Sequence, residues 1–225
     1  MRWRLRGQSG RASWLAFEPL PIMPGNRQAP GAWNYLMIPS ADQRPELTLD
    51  ARDRIASVNS AWVEATACEG LRDQRLDATI DRPLWDFIRG TQVRQLWEIL
   101  FERVRAVGAP LFIPMRADQP GLRRVWDIEI HPLPERGLQL VAYCVWTESR
   151  PALALLDPAF PRNDRTLPYC AWCNRIQIRI GVWEEVEDAQ LTLRLDASES
   201  LPSLKRMACN GCKQSLLKTF PARVA

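Results

Sequence analysis

Two Cys-x-x-Cys pairs, Cys170-Ala-Trp-Cys173 and Cys209-Asn-Gly-Cys212, stand 35 residues apart near the end of a 225-residue chain. Two residues between ligands let both thiolates of one turn face the same ion, and two such turns complete a tetrahedron of sulfurs. A set of four cysteines leaves no open coordination position, so Cys170, Cys173, Cys209 and Cys212 are expected to hold a structural ion and not a catalytic one. Tetrahedral thiolate sites select zinc or iron–sulfur chemistry, and zinc is the expected ion. A segment this short cannot bury a sufficient core alone, and metal binding would supply folding free energy.

The rest of the chain sets the context for those thiols. The start Met1-Arg-Trp-Arg-Leu-Arg6 is followed by only four apolar residues, Trp14 to Phe17, before Glu18 and Pro19. A secretory signal needs about 7–15 apolar residues there, so a cytoplasmic chain is expected. No apolar run approaches the roughly 18 residues of a membrane span, and no membrane partner is expected. In a reducing compartment paired cysteines hold metal or do redox chemistry more often than they form disulfides. A thiol-redox role for the pairs therefore stays open. A single-iron site of rubredoxin type stays open too, although its knuckles are usually followed by Gly and here Asn174 and Lys213 follow. Cys68 and Cys144 lie apart from the pairs and read as plain buried thiols.

Charge is unevenly spread. The net charge is +4, with +4 in residues 1–36, +5 in residues 201–225 and −5 in between. The basic end at Lys205, Arg206, Lys213, Lys218 and Arg223 keeps nucleic acid open as an alternative partner. Solvated tails account for it more simply.

Residues 1–44 are rich in Pro, Gly and Arg with no apolar period, and are expected to form a disordered extension. From Leu47 the pattern changes. Leu47-Thr48-Leu49 reads as a strand, Asp50 to Asp53 as a turn and Arg54 to Val58 as its hairpin partner, with Asn59 placed to cap a helix. Apolar residues Leu96, Trp97, Leu100, Phe101, Val104 and Val107 recur at helical spacing after Gly90-Thr91, and Gly108 with Pro110 stops that helix. Leu111 to Arg116, Arg124 to His131 and Leu138 to Trp146 read as three strands. Between the cysteine pairs, Ile176 to Ile180 reads as a strand, Gly181 as a turn and Trp183 to Leu191 as a helix. The expected class is α+β: a five-stranded antiparallel sheet with flanking helices, plus a small C-terminal module of zinc-ribbon type.

That order resembles the PAS sensor family, which runs hairpin, short helices, long helix and three-stranded meander. The resemblance is carried by Asp50-Ala-Arg-Asp-Arg-Ile-Ala-Ser-Val-Asn59-Ser-Ala-Trp62, by Leu84-Trp-Asp-Phe-Ile88 and by the closing strand before Glu148-Ser-Arg150. It implies a sensor domain over 45–150, a connector over 151–166 and a metal module over 167–225. It also implies a pocket for a ligand of unknown identity, with Trp97, Phe101, Trp126, Ile128 and Cys144 facing one another; ordinary core packing explains those residues equally well. Cys170-Ala-Trp-Cys173-Asn-Arg-Ile176 and Gly181-Val-Trp183-Glu-Glu-Val-Glu187 resemble a cysteine-rich module found after PAS or receiver domains in bacterial signalling proteins. That module usually carries a His shortly before its second pair, where this chain has Leu204-Lys-Arg-Met207.

Other PAS chemistries fit poorly. A haem ligand would have to be His131, the sole His, which falls on the polar face of its strand. A flavin-reactive Cys would need a Gly-Arg-Asn-Cys-like setting, which Ala65-Thr-Ala-Cys68 lacks. Arg116 and Asp118 could orient a polar ligand, though a turn-stabilising ion pair is the simpler account. With no Gly-rich phosphate loop and no nucleophile beside a base, catalysis finds no support. The expected function is non-enzymatic signalling, with a protein partner or a homodimer as the receiving surface.

Overall fold

The computed structural model describes residues 44–68, 79–195 and 198–218. The stretch expected to be disordered lies, up to residue 43, outside the described residues, as do 69–78 of the expected loop and the side chain of Cys68.

Strands β1 (Glu46–Leu49) and β2 (Ile55–Val58) pair as an antiparallel hairpin. Its turn is closed by Asp50, whose Oδ1 accepts the amides of Arg52 and Arg54 at 2.8 and 2.9 Å, the local bonding that makes Asp a turn residue. Helix α1 (Ser60–Cys68) starts where Asn59 Oδ1 accepts the Trp62 amide at 2.9 Å, satisfying a donor that the helix itself leaves free. The same oxygen accepts the Glu46 amide at 3.1 Å, so one side chain joins strand to helix.

Helix α2 (Thr91–Val107) buries Val93, Leu96, Trp97, Leu100, Phe101 and Val104 on one face. Gly108 ends it at φ +67°, its amide returning to the Val104 carbonyl at 2.9 Å. Val107, which the same periodicity assigns to the apolar face, is 41% exposed in the last turn, where the chain leaves the core. A meander follows: β3 (Leu111–Arg116), β4 (Leu122–Pro132) and β5 (Leu138–Ser149). The sheet order is β2-β1-β5-β4-β3, all antiparallel. The pairs Leu111↔Ile130, Ile113↔Ile128 and Ile130↔Leu140 set one apolar face toward α2. Hairpin, helices, long helix and meander come in the order that the PAS resemblance implies.

A second sheet has order β8-β7-β6-β9. The segment expected as a connector carries a 3-10 turn at Ala154–Leu156, with Leu155 fully buried, and β6 (Arg162–Cys170) begins within it. Strand β7 (Ile176–Arg179) forms a hairpin with β8 (Val182–Glu184) across Gly181 at φ +78°. The helix expected over Trp183–Leu191 therefore starts later, as α3 (Val186–Thr192). Pairing with β7 and packing of Trp183 onto the first core override the helix propensity of that Glu-rich stretch. Strand β9 (Leu201–Met207) runs parallel to β6 and leads into α4 (Asn210–Lys218).

The core falls into two clusters. One, around Leu155, Leu167, Ile176, Val186 and Leu201, lies under the second sheet. The other joins α1, α2 and the first sheet, and it also contains Cys170, Ala171, Trp172, Ala208, Cys209 and Leu216. The cysteine loops thus share a core with the PAS-like unit.

Candidate metal centre

Cys170 is the last residue of β6, and β6 pairs in parallel with β9 so that Cys170 stands opposite Met207. That register carries Cys209, two residues on, to the side of Cys170 despite the length of chain between them. The Cys209 amide donates to Cys170 Sγ at 3.3 Å and the Cys212 amide to Cys209 Sγ at 3.4 Å. Cys173 Sγ lies 3.9 Å from Cys209 Sγ, and all four sulfurs lie within 4.8 Å of one another. With metal–sulfur bonds of about 2.3 Å, a tetrahedral zinc site needs sulfurs about 3.8 Å apart. The donor set and its spacing fit a thiophilic tetrahedral ion.

Each pair sits on a different local structure. Cys170 and Cys173 belong to the loop between β6 and β7, closed by the Asn174 amide to the Cys170 carbonyl and the Cys170 amide to the Arg175 carbonyl, both at 2.9 Å. This turn requires a left-handed residue, and Asn174 supplies it at φ +57°. Asn is the non-glycine residue that tolerates this region best, because its short polar side chain bonds locally. Cys209 precedes the first residue of α4, and its carbonyl accepts the Lys213 amide at 2.9 Å. The positive end of that helix favours thiolate over thiol there.

As thiols, the four groups share their protons unequally. Cys170 is driven far below the ordinary thiol range, first by its bond with Cys173 and then by Cys209 and Cys212. Cys209 is raised by Cys170 but lowered by Cys173 and Cys212, and settles at about 7. Cys173 and Cys212 rise, both chiefly through Cys170. Four thiolates this close repel one another, and a divalent cation at their centre offsets that repulsion.

Trp172, between the first two ligands, is 3% exposed, with its ring 5.8 Å from that of Trp97 at 32°. Trp97 in turn lies 5.6 Å from Phe101, which lies 5.8 Å from Trp85. The Arg116 amide, at the end of β3, donates to the Trp172 carbonyl at 2.8 Å. Neither Trp172 nor Asn174 stood out in the sequence beyond its place in the cysteine motif. The structure gives each a contact with the PAS-like unit.

Of the residues expected around a ligand, Trp97 and Phe101 are buried on α2 and Ile128 packs against the same core. Trp126 and Cys144 are register partners on β4 and β5, half-buried, with the Arg124 guanidinium 5.5 Å above the Trp126 ring. Burial raises the Cys144 thiol above its ordinary value. His131 is half-exposed and bonds Glu129 at 2.9 Å.

Arg116 and Asp118 do pair, within a larger network. Arg116 also donates to Glu185 at 2.5 Å, and Arg150 reaches Asp118 at 3.2 Å and Glu187 at 2.6 Å. Arg123 holds Glu187 at 2.8 Å, and Arg175 holds Glu185 at 2.8 Å. The Asp118 side chain is fully buried. Burial pulls the Arg116 pKa down, but its bonds to Asp118 and Glu185 outweigh that and raise it. The network joins the first sheet to the segment that opens α3.

No protein-family model and no curated protein matches the chain. Among solved structures, the chain is similar to the PAS domain of BvgS from Bordetella pertussis, at 17% identity and a TM-score of 0.33, over 46% of this chain and 73% of that one. A TM-score of 0.33 is too low to bear on the fold, whose PAS-like character rests on its own element order. Among the described residues, no helix is long and apolar enough to cross a membrane.

Proposed function

We propose that this is a non-enzymatic regulatory protein in which a PAS-like unit responds to a ligand or protein partner and a zinc-held C-terminal unit transmits that state. The observation that carries the proposal is the tilted ring contact of Trp172, between two metal ligands, with Trp97 of the long helix. A change in either unit is felt in the other through that shared core. A zinc ion on four thiolates would leave a net charge of about −2, and the exposed cation Lys213 directly follows the last of the four cysteines. A cytoplasmic, reducing setting suits thiols kept free for metal.

Native mass spectrometry of the purified chain tests the proposal. One zinc per chain, with either a retained small molecule or a dimer mass, is expected. Protein that binds no metal after repletion with zinc under reductant contradicts it.

A further inference from the structure

We propose that Trp172 is the chain's own occupant of the aromatic pocket between α2 and β3, and that metal at the flanking cysteines decides whether its ring stays seated. This rests on the metal-binding reading above and names the regulation of that site. Four observations meet at this one residue.

The ring is nearly wholly buried and lies against Trp97, one of the residues expected to line a ligand pocket. Its carbonyl takes the Arg116 amide, so the cysteine loop continues the hydrogen bonding of β3 at its end. Its indole Nε1 is buried with no hydrogen-bond partner among the described residues, so water competes for this ring in a way it does not for a purely apolar plug. Finally, Cys170 and Cys173 flank it at two and one residues' distance, and their sulfurs are gathered with those of Cys209 and Cys212.

Those facts define a device. With metal bound, both ends of the Ala171-Trp172 segment would be tied to one ion that Cys209 and Cys212, at the start of α4, also hold. Without it, the loop is left with the Cys209 amide to the Cys170 sulfur and the β6–β9 ladder as ties to the α4 side, and the unsatisfied indole N–H gains water by leaving. What remains is the face of the Trp97 ring that the indole had covered, an apolar site of a size to take a planar aromatic molecule such as indole.

The test uses the full chain under reductant, with zinc content measured first. Zinc is then withdrawn by a chelator and amide exchange is followed at single residues. Exchange of the Arg116 and Ala171 amides should quicken by about tenfold or more, while the Leu49, Ile128 and Leu140 amides change by less than about twofold. Unchanged Arg116 exchange overturns the proposal, and so does loss of protection everywhere at once. One zinc per chain at the outset keeps the metal reading intact whichever result follows.

A variant supplies an independent arm. W172A should keep one zinc and bind free indole saturably, with a rise in melting temperature that the zinc-loaded parent does not show. Zinc-loaded, folded W172A that ignores indole overturns the proposal. Should W172A not fold, the chelation experiment on the parent still decides.

Discussion

Asn174 Oδ1 accepts the backbone amide of Asp118 at 2.8 Å, so the residue that follows the first cysteine pair is bonded to the residue on which Arg116 and Arg150 converge. Asn174 is 2% exposed and left-handed, two demands that separate cleanly by substitution. N174G keeps the backbone conformation but strands a buried donor, which costs about 1–3 kcal/mol. N174A strands the same donor and adds about 1–2 kcal/mol for a non-glycine residue at positive φ. Denaturant unfolding in zinc-saturated buffer should therefore rank parent, N174G, N174A in falling stability. An N174A variant more stable than N174G contradicts the account of the knuckle.

Two glycines should respond in opposite directions to the same methyl group. Gly90 sits at φ +95° before α2, and a Cβ there would lie 2.5 Å from the Arg206 carbonyl oxygen, which is backbone and cannot swing away. G90A should lower stability by more than about 1 kcal/mol and loosen the seating of β9 on α2. Gly211 lies in the first turn of α4, between the second pair of ligands, with nothing within 4 Å of a Cβ. G211A should raise stability by a few tenths to about 1 kcal/mol, by helix propensity, with zinc content unchanged. Thermal melts of the two variants beside the parent check both signs.

Local periodicity made the PAS-like half legible. The face of α2 from Leu96 to Val104, the glycine stop at Gly108 and the hairpin around Asp50 all follow from bonds within a few residues. So does the grouping of four cysteines, because ligand spacing is itself local. What joins the pairs is not local: the parallel register Cys170↔Met207 sets residues 37 apart side by side, and β6 reads as Arg-Asn-Asp-Arg-Thr-Leu-Pro-Tyr-Cys with few strand formers. Strand β8 was hidden for the opposite reason, since Trp183-Glu184 sits in a run of good helix formers that only the ladder to β7 overrides. The packing of the Trp172 ring against Trp97 leaves no trace in either segment alone.

The ion network should give the fold an acid limb to which Glu187 contributes a share that one substitution removes. Burial pushes the Glu187 carboxyl up, but its own backbone amide and the Arg150 and Arg123 guanidinium groups outweigh this and leave it below its ordinary 4.5. A carboxyl depressed in the folded state contributes stability that is fully present above its unfolded value and is lost as pH falls through the folded one. Asp53 and Asp127 are raised, chiefly by burial, so acid favours the fold at those two sites and partly opposes the trend. The stability difference between parent and E187Q should narrow as pH falls from about 6 to about 3. Zinc release from protonated thiols in acid acts on both proteins alike, so the difference isolates Glu187. A gap constant across that range rules out the Arg150–Glu187 pair as a contributor to stability.

Among the cysteines whose side chains are described, four form a set and Cys144 stands apart, and substitution should sort them. Cys170 and Cys209 are buried within the cluster, and the Cys209 amide is bonded to the Cys170 sulfur. C170S should lose tight zinc binding and melt where the parent melts after chelation, because the ion's binding energy is also folding energy for the loops it joins. C209S should match it. Cys144 lies on β5 opposite Trp126, outside the cluster, its weak contact the Trp146 carbonyl at 3.8 Å. C144S should keep one zinc per chain and shift stability by less than about 1 kcal/mol. Metal content and melting temperature, measured together on these variants and on chelated parent, check the division. A C170S protein with full zinc and an unchanged melt removes the metal from the architecture, and with it the reason Trp172 is held against Trp97.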